Sequence, residues 1–332
     1  MRRLLNLLYT FIAVVVIAAA GVSFYLYATF TGPGPSIEDK TLVIPKGSGV
    51  AEIAGILRTE NVIEDTRIFR LGVRLLSNSK PLIAGEYVFP KGISPSGAMG
   101  IMIAGKSITH RLTIPEGLTV REVLELVSSA PLLDGPLPPE RPAEGTLLPE
   151  TYRFLRGESR ASIIARMRED MSKALADEWE KRDRSILVKT PEEAVALASV
   201  VEKETAQADE RARVAGVFYN RLKKGMPLQS DPTVIFAVTL GTRKLNRGLT
   251  YDDLKTDSPY NTYLVKGLPP GPIANPGRDA LHAVMHPQSH KELYFVADGT
   301  GGHAFARTLE EHNRNVARWR DVERTRGANA SR

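Results

Sequence analysis

The sequence predicts an α+β protein with an N-terminal transmembrane helix, a small α+β module and a larger mixed α+β domain. Three observations support this fold class: an uncharged apolar run near the N-terminus, a strand–turn–helix pattern that occurs three times, and strongly capped helices in the second half. The length of 332 residues accommodates two or three folded units, each large enough to bury a core.

Composition narrows the class of protein. An apolar fraction of 42% and a charged fraction of 25% are ordinary for a globular chain. The net charge of +6 is mild, and neither a long Lys/Arg run nor an aromatic RNA-binding signature is present, so we expect no nucleic-acid partner. The chain has no cysteine, which excludes disulfides and Cys-ligated zinc.

Residues 11–30 are predicted to cross a membrane, and residues 1–10 form the short cytoplasmic end and the start of the anchor. After the arginine pair that follows Met1, no charged residue occurs before Glu38. The pair predicts a cytoplasmic N-terminus, with the rest of the chain outside the cytoplasmic membrane. A cleaved signal peptide is the alternative because Ala18–Ala20 supplies small residues, but the apolar run continues beyond them and favours an anchor.

One short pattern occurs three times. Val43–Ile53 aligns without gaps to Thr113–Val123, and Val88–Ala98 is a weaker copy. Each copy predicts a strand that ends at proline, a glycine turn and an amphipathic helix. The irregular spacing excludes a solenoid and favours a small α+β module.

The domain boundaries follow from composition and periodicity. We predict a linker at 31–39, the module at 40–110, the larger domain at 111–325 and a tail at 326–332. Apolar spacing predicts helices over Val50–Glu60, Asp65–Leu76 and Ser159–Arg184, and a strand over Ala84–Phe89.

A helix over residues 190–205 carries the candidate chemistry. Thr190 is a predicted N-cap, followed by proline and by a glutamate at the third helical position. The apolar stripe of this helix continues to Glu204, whereas Glu202 lies about 200° away around the axis. At most one of these two carboxylates therefore faces a cleft, and the stripe favours Glu204.

Glu204 has two interpretations. A solvated carboxylate at a helix end is the ordinary one. Against it, Gln229–Thr233 and Tyr260–Tyr263 supply hydrogen-bonding and stacking groups typical of carbohydrate sites. A carboxyl against an apolar wall has a raised pKa and acts as a general acid near neutral pH.

Three other motifs predict no chemistry. His282, His286 and His290 are spaced for one helical face, but Pro287 interrupts that helix, so we expect surface histidines and no metal site. The S-x-x-K motif of Ser77–Lys80 lacks its partner motifs and is expected to be a loop. The glycines of Asp298–His303 predict a tight turn.

Several motifs together closely resemble one family, the endolytic murein transglycosylases (YceG-like proteins). The resemblance runs from the anchor almost to the C-terminus. One departure is Ser230, where threonine is usual. The motifs, in chain order, are Glu144–Tyr152, Ala198–Thr205, Val217–Leu222, Leu228–Val234, Tyr260–Tyr263, Gly267–Ile273 and Tyr294–Asp298.

The resemblance implies a single-pass inner-membrane protein with a LysM-like module at 40–110 and a periplasmic catalytic domain at 111–325. It implies cleavage of the MurNAc–GlcNAc β-1,4 bond of nascent peptidoglycan strands to leave 1,6-anhydro-MurNAc ends, which limits strand elongation. It assigns the catalytic acid to Glu204, requires no cofactor and points to glycan-polymerising penicillin-binding proteins as partners. Residues expected to position the sugar are Gln229, Asp231, Asn261 and Tyr263.

Two other functions stay open. A muramidase-type hydrolase needs a second carboxylate in the cleft, for which Asp231 and Glu150 are available. A non-catalytic peptidoglycan-binding scaffold would keep its function without Glu204.

Overall fold

A computed structural model describes residues 2–330, with side chains described as far as residue 325. The chain forms two compact units. The first takes the residues up to His110 together with Arg153–Gly157, and the second takes Arg111–Tyr152 and the residues from Glu158 onward. Both units mix helices with short strands, which confirms the α+β class.

The first unit begins with α1 (Arg2–Thr31), one continuous helix that starts nine residues before the predicted span. Among the described residues, α1 is the one helix long and apolar enough to cross a membrane. Nearly all of its side chains are exposed, and Phe30 in the last turn is the buried exception. Such exposure of apolar side chains is expected of a helix whose surroundings are lipid.

Two strands and three helices complete the first unit. The antiparallel strands pair Leu42 with Tyr87, and both side chains face the core together with Phe69 and Phe89. The predicted helices and strand are confirmed to within a residue. The elements are β1 (Lys40–Ile44), α2 (Val50–Thr59), α3 (Thr66–Leu76), β2 (Gly85–Phe89) and α4 (Pro95–Ile103).

The three copies of the repeat fold as predicted, with the third running from β3 (Thr109–Thr113) into α5 (Val120–Ser129). Each copy places a glycine at the same point of its turn. Gly47, Gly92 and Gly117 have φ values of 85°, 66° and 73°, in the left-handed region that other residues avoid. The three copies therefore share a turn whose left-handed residue is glycine.

The second unit is mainly helical. Its strands form two-stranded sheets: β3 pairs with β5, β4 pairs in parallel with β6, and β7 pairs antiparallel with β8. A 3₁₀ turn lies at Asp253–Lys255. The remaining elements are β4 (Leu133–Asp134), β5 (Thr151–Leu155), β6 (Glu158–Ser159), α6 (Arg160–Lys181), α7 (Pro191–Glu204), α8 (Arg211–Lys223), α9 (Asp231–Thr239), α10 (Arg278–Met285), β7 (Tyr294–Ala297), β8 (His303–Ala306) and α11 (Leu309–Ala330).

Helix α7 is the centre of the second core. It packs against α6, α8, α9 and α10, and each residue from Ala194 to Val201 is buried. The small side chains of α7 let its neighbours approach closely, so the hydroxyl of buried Ser199 accepts a hydrogen bond from the Ile273 N–H at 3.0 Å.

The contact between α1 and α3 is testable. A Cβ at Gly72 would lie 2.2 Å from Cε2 of buried Phe30, so we expect Gly72→Ala to destabilise the first unit by about 1–3 kcal/mol. Hydrogen exchange of the α3 amides in the full chain should accelerate. Gly55→Ala on α2 is the matched control because a Cβ there meets nothing within 4 Å. Equal exchange in both variants would contradict the packing of Phe30 on α3.

Candidate active site

Helix α7 positions the predicted acid. The hydroxyl of Thr190 accepts the Glu193 N–H at 3.2 Å and starts the helix, as predicted. The helix ends at Glu204 because Thr205 is extended, and the hydroxyl of Thr205 accepts the N–H of Gln207 at 3.0 Å. Glu204 therefore projects from the last helical position, where the buried helix meets the surface.

Glu204 is half-buried and in contact with α9. The hydroxyl of Ser230 donates to its Oε1 at 2.5 Å. The pKa of Glu204 is raised to about 7; burial is the main cause, and the charge of Asp231 also acts in this direction. The Ser230 hydrogen bond and the charges of His303 and Arg221 oppose this rise in pKa. A carboxyl in this state gives and takes a proton near neutral pH.

Glu202 points away from Glu204, as the helical spacing predicts, but it is not a surface residue. Its side chain is only 4% exposed, accepts the Gly277 N–H at 2.9 Å and pairs with Arg211 at 3.2 Å. Arg211 also pairs with Glu116 at 2.8 Å and Asp279 at 3.2 Å. Burial raises the pKa of Glu202 above its usual value, and the charge of Glu116 adds to the rise. This network is structural.

Glu204 lines a groove of about 450 Å³. Gln229 is exposed on its wall with a left-handed φ of 50°. The hydroxyl of Tyr263 donates to Oδ1 of Asp231 at 2.6 Å, and burial raises the pKa of that tyrosine. The predicted residues Gln229, Asp231 and Tyr263 are thus brought together with Glu204. The remaining lining includes Arg221, Leu228, Tyr294, Phe295, Val296, Ala297, His303, Leu309, His312 and Val316.

Asn261 does not line this groove. It is fully buried, and its side-chain amide donates to the carbonyls of Leu254 at 3.0 Å and Thr256 at 2.9 Å. Its Oδ1 accepts the N–H of Tyr263 at 3.0 Å. Asn261 therefore fixes the loop that presents Tyr263, and its part in positioning the sugar stays a prediction.

Sequence reasoning missed two charged residues of the groove. Arg221 stands in the apolar stripe of α8, which is a signal, because a buried arginine needs acceptors. It donates to the carbonyls of Leu293 at 2.6 Å and Leu228 at 2.7 Å, and burial lowers its pKa. His303 follows the predicted glycine turn, now seen between β7 and β8, and its Nδ1 lies 2.6 Å from Glu210.

The other motifs lie outside the groove. His290 contacts the carbonyl of Arg213 at 2.9 Å, whereas His282 and His286 lie at α10 within 4.8 Å of Glu178 on α6. The three histidines therefore do not share one face. Ser77–Lys80 forms a turn, as expected.

The groove holds a half-buried carboxyl whose pKa of about 7 suits proton transfer, as in an enzyme site. Comparison with known proteins gives the family. Residues 42–318 match the YceG-like family, and the chain belongs to it. The crystal structure of a yceG-like protein from Listeria monocytogenes matches with a TM-score of 0.50 and 32% identity, over 83% of this chain and 99% of that one.

Two curated relatives carry the name endolytic murein transglycosylase. The one from Bacillus subtilis (strain 168) is 31% identical over 310 residues, which cover 83% of this chain and 84% of that protein. The one from Streptococcus pneumoniae serotype 2 (strain D39) is 32% identical over 322 residues, and the match spans 58% of its length. These relatives make the present protein an enzyme of the transglycosylase class.

The two glutamates of α7 should affect stability to different extents. Because the pKa of Glu204 is about 7 in the folded state and 4.5 ordinarily, the folded state holds this proton more tightly. Stability is therefore full below pH 4.5 and falls as the pH rises to about 7. We expect Glu204→Gln, which cannot ionise, to be more stable than wild type at pH 8 by about 2 kcal/mol, and equally stable at pH 4.

Glu202→Gln is the matched variant. It should gain less stability than Glu204→Gln at pH 8, because the Gly277 N–H and the charge of Arg211 oppose the rise in the pKa of Glu202, and because Arg211 loses one ionic partner. Denaturant unfolding of the full chain in detergent measures both changes. A larger gain for Glu202→Gln than for Glu204→Gln would contradict the two assigned environments.

Proposed function

We propose that the protein is a peptidoglycan lytic transglycosylase that cuts the MurNAc–GlcNAc β-1,4 bond within nascent strands and leaves 1,6-anhydro-MurNAc ends. The observation that carries the proposal is Glu204, a half-buried carboxyl with a pKa of about 7 beside an open groove. The names of the curated relatives point to the same substrate.

The proposed reaction needs one acid. Protonated Glu204 gives its proton to the glycosidic oxygen as the bond from that oxygen to C1 of MurNAc breaks. The C6 hydroxyl of the same sugar attacks C1, forms the 1,6-anhydro bond and returns a proton to Glu204. No water is consumed, and the intramolecular attack has the entropic advantage of a held nucleophile.

Asp231 supports this reaction without acting as a nucleophile. Its Oδ1 is already bound to the Tyr263 hydroxyl, and its charge favours the protonated form of Glu204. A negative charge in the groove also stabilises the positive charge that develops at C1. The muramidase alternative would use Asp231 as its second carboxylate. Glu150, the other candidate, pairs with Arg278 at 3.2 Å and does not line the groove.

The cellular setting is also a proposal. We infer a single-pass inner-membrane protein with a cytoplasmic N-terminus and its second unit outside, supported by α1 and the arginine pair in its first turn. The first unit would act as a LysM-like module that contacts glycan, and its failure to bind purified sacculi would refute that role. Cleavage beside penicillin-binding proteins would limit strand elongation.

Product analysis tests the reaction. Residues 36–332 incubated with nascent uncrosslinked strands should release fragments one water lighter than hydrolysis products, as read by mass spectrometry. Glu204→Gln should lose about a hundredfold to ten-thousandfold in rate, the typical contribution of general acid–base catalysis. Hydrated reducing ends would support the muramidase instead, and no release by the wild type would support the scaffold.

The pH dependence tests the acid. Since Glu204 must carry a proton and its pKa is about 7, kcat/KM should fall as the pH rises through about 7. Asp231→Asn removes a charge that raises this pKa, so the falling limb should move to lower pH. A limb that does not move in this variant would contradict the electrostatic coupling of the two residues.

A further inference from the structure

We propose that α3 is an interfacial helix that binds anionic phospholipid beside the end of α1. Viewed along its axis, α3 has three arcs. Its buried arc contains Phe69, Gly72 and Val73. At 100° per residue, an arginine arc and an aliphatic arc of about 60° each cover much of the remaining circumference. The arginine arc contains Arg67, Arg70 and Arg74, and the aliphatic arc contains Ile68, Leu71 and Leu75.

The aliphatic arc faces a groove beside α1. Leu71 and Leu75, which are 39% and 66% exposed, border a groove of about 230 Å³ together with Leu26 and Tyr27 of α1. The groove surface is almost wholly apolar, and its size suits part of an acyl chain. Water is a poor occupant for such a groove because it finds no polar partners there.

The contacts between α3 and α1 fix the depth of α3 relative to the membrane. Ser23, Leu26, Tyr27 and Phe30, which border the groove, span the last two turns of α1. The same turns expose Phe24, Tyr25 and Tyr27 by 64–74%, an aromatic set typical of a membrane–water interface. When α1 crosses the bilayer, α3 therefore lies at headgroup depth, with its aliphatic arc against the acyl region.

The arginine arc identifies the headgroup. All three arginines are exposed, and none makes an ion pair within the described part of the chain. Asp65, the nearest acid at the helix start, already accepts the backbone N–H groups of Arg67 and Ile68 as the N-cap. Guanidinium groups above an aliphatic arc match the phosphates of anionic lipid, the arrangement of a basic amphipathic interfacial helix.

This inference rests on the proposed membrane anchor, and one experiment separates the two. The chain has no cysteine, so a single nitroxide can be placed on Leu71→Cys or Leu75→Cys in the full-length protein. The proteins are reconstituted in nanodiscs of phosphatidylglycerol with phosphatidylcholine, or of phosphatidylcholine alone. Collision with oxygen is compared with collision with a water-soluble nickel chelate. Val16→Cys in α1 is the lipid reference, and Val88→Cys on β2, 42% exposed, is the water reference.

We expect the oxygen-to-nickel ratio at positions 71 and 75 to exceed that at position 88 several-fold in anionic nanodiscs. Contact with α1 keeps α3 at the interface in either lipid, so in phosphatidylcholine alone, and on joint replacement of Arg67, Arg70 and Arg74 by glutamine, the ratio should fall but stay above that at position 88. Ratios equal to that at position 88, with position 16 reporting lipid, would overturn the α3 proposal and leave the anchor intact.

Three further outcomes would also overturn the proposal. If position 16 itself reports water, the anchor fails with it. Labels on α3 that both reagents fail to reach would show that a protein surface covers the helix. A lipid-like ratio that is independent of both headgroup charge and the arginines would remove the anionic lipid as ligand.

Discussion

The burial of α7 on all sides is the constraint on which the candidate site depends. Ala194–Val201 leave no freedom to rotate, because close packing of small side chains fixes the helix against its neighbours. The rotation of about 200° between Glu202 and Glu204 then assigns them to separate environments. Glu202 receives Arg211 as an ionic partner, whereas Glu204 receives the hydroxyl of Ser230. The same packing thus places Glu202 in an ion pair with Arg211 and places Glu204 where its pKa is raised to about 7.

The hydroxyl that meets Glu204 is itself held by buried hydrogen bonds. The Ser230 N–H donates to the Thr262 hydroxyl at 3.1 Å, and the Thr233 hydroxyl donates to the Ser230 carbonyl at 2.6 Å. Asn261 fixes the loop that carries Thr262 and Tyr263. Because these groups are buried and satisfied, their loss would leave unpaired polar atoms, and the site is organised before substrate binds.

What the sequence predicts well is local. The N-cap of α7, the phase that selects Glu204 and the turns at Gly47 and Gly117 each depend on a few neighbouring residues. What the sequence does not predict are contacts between residues that lie far apart along the chain. Helical spacing does not reveal that Glu202 pairs with Arg211 of another helix, and a sequence motif does not reveal that backbone carbonyls accept from the amide of Asn261. Two further features depend on contacts between residues that are distant in sequence. Residues 153–157 belong to the first unit, and His303 lies at the groove.

A pKa near 7 suits an acid that must act twice. A carboxyl with its ordinary pKa holds too little proton at neutral pH to protonate a leaving group, and one raised much further would not ionise to receive the next proton. Opposing effects set the intermediate pKa of Glu204. Burial and the charge of Asp231 favour the neutral form, whereas the Ser230 hydrogen bond and the charges of His303 and Arg221 favour the ionised form. A direct ion pair, such as Glu202 has with Arg211, would add another charge that favours the ionised form. The separation of the two glutamates by one lysine is therefore the sequence feature that lets a buried helix supply both a structural anion and a reversible acid.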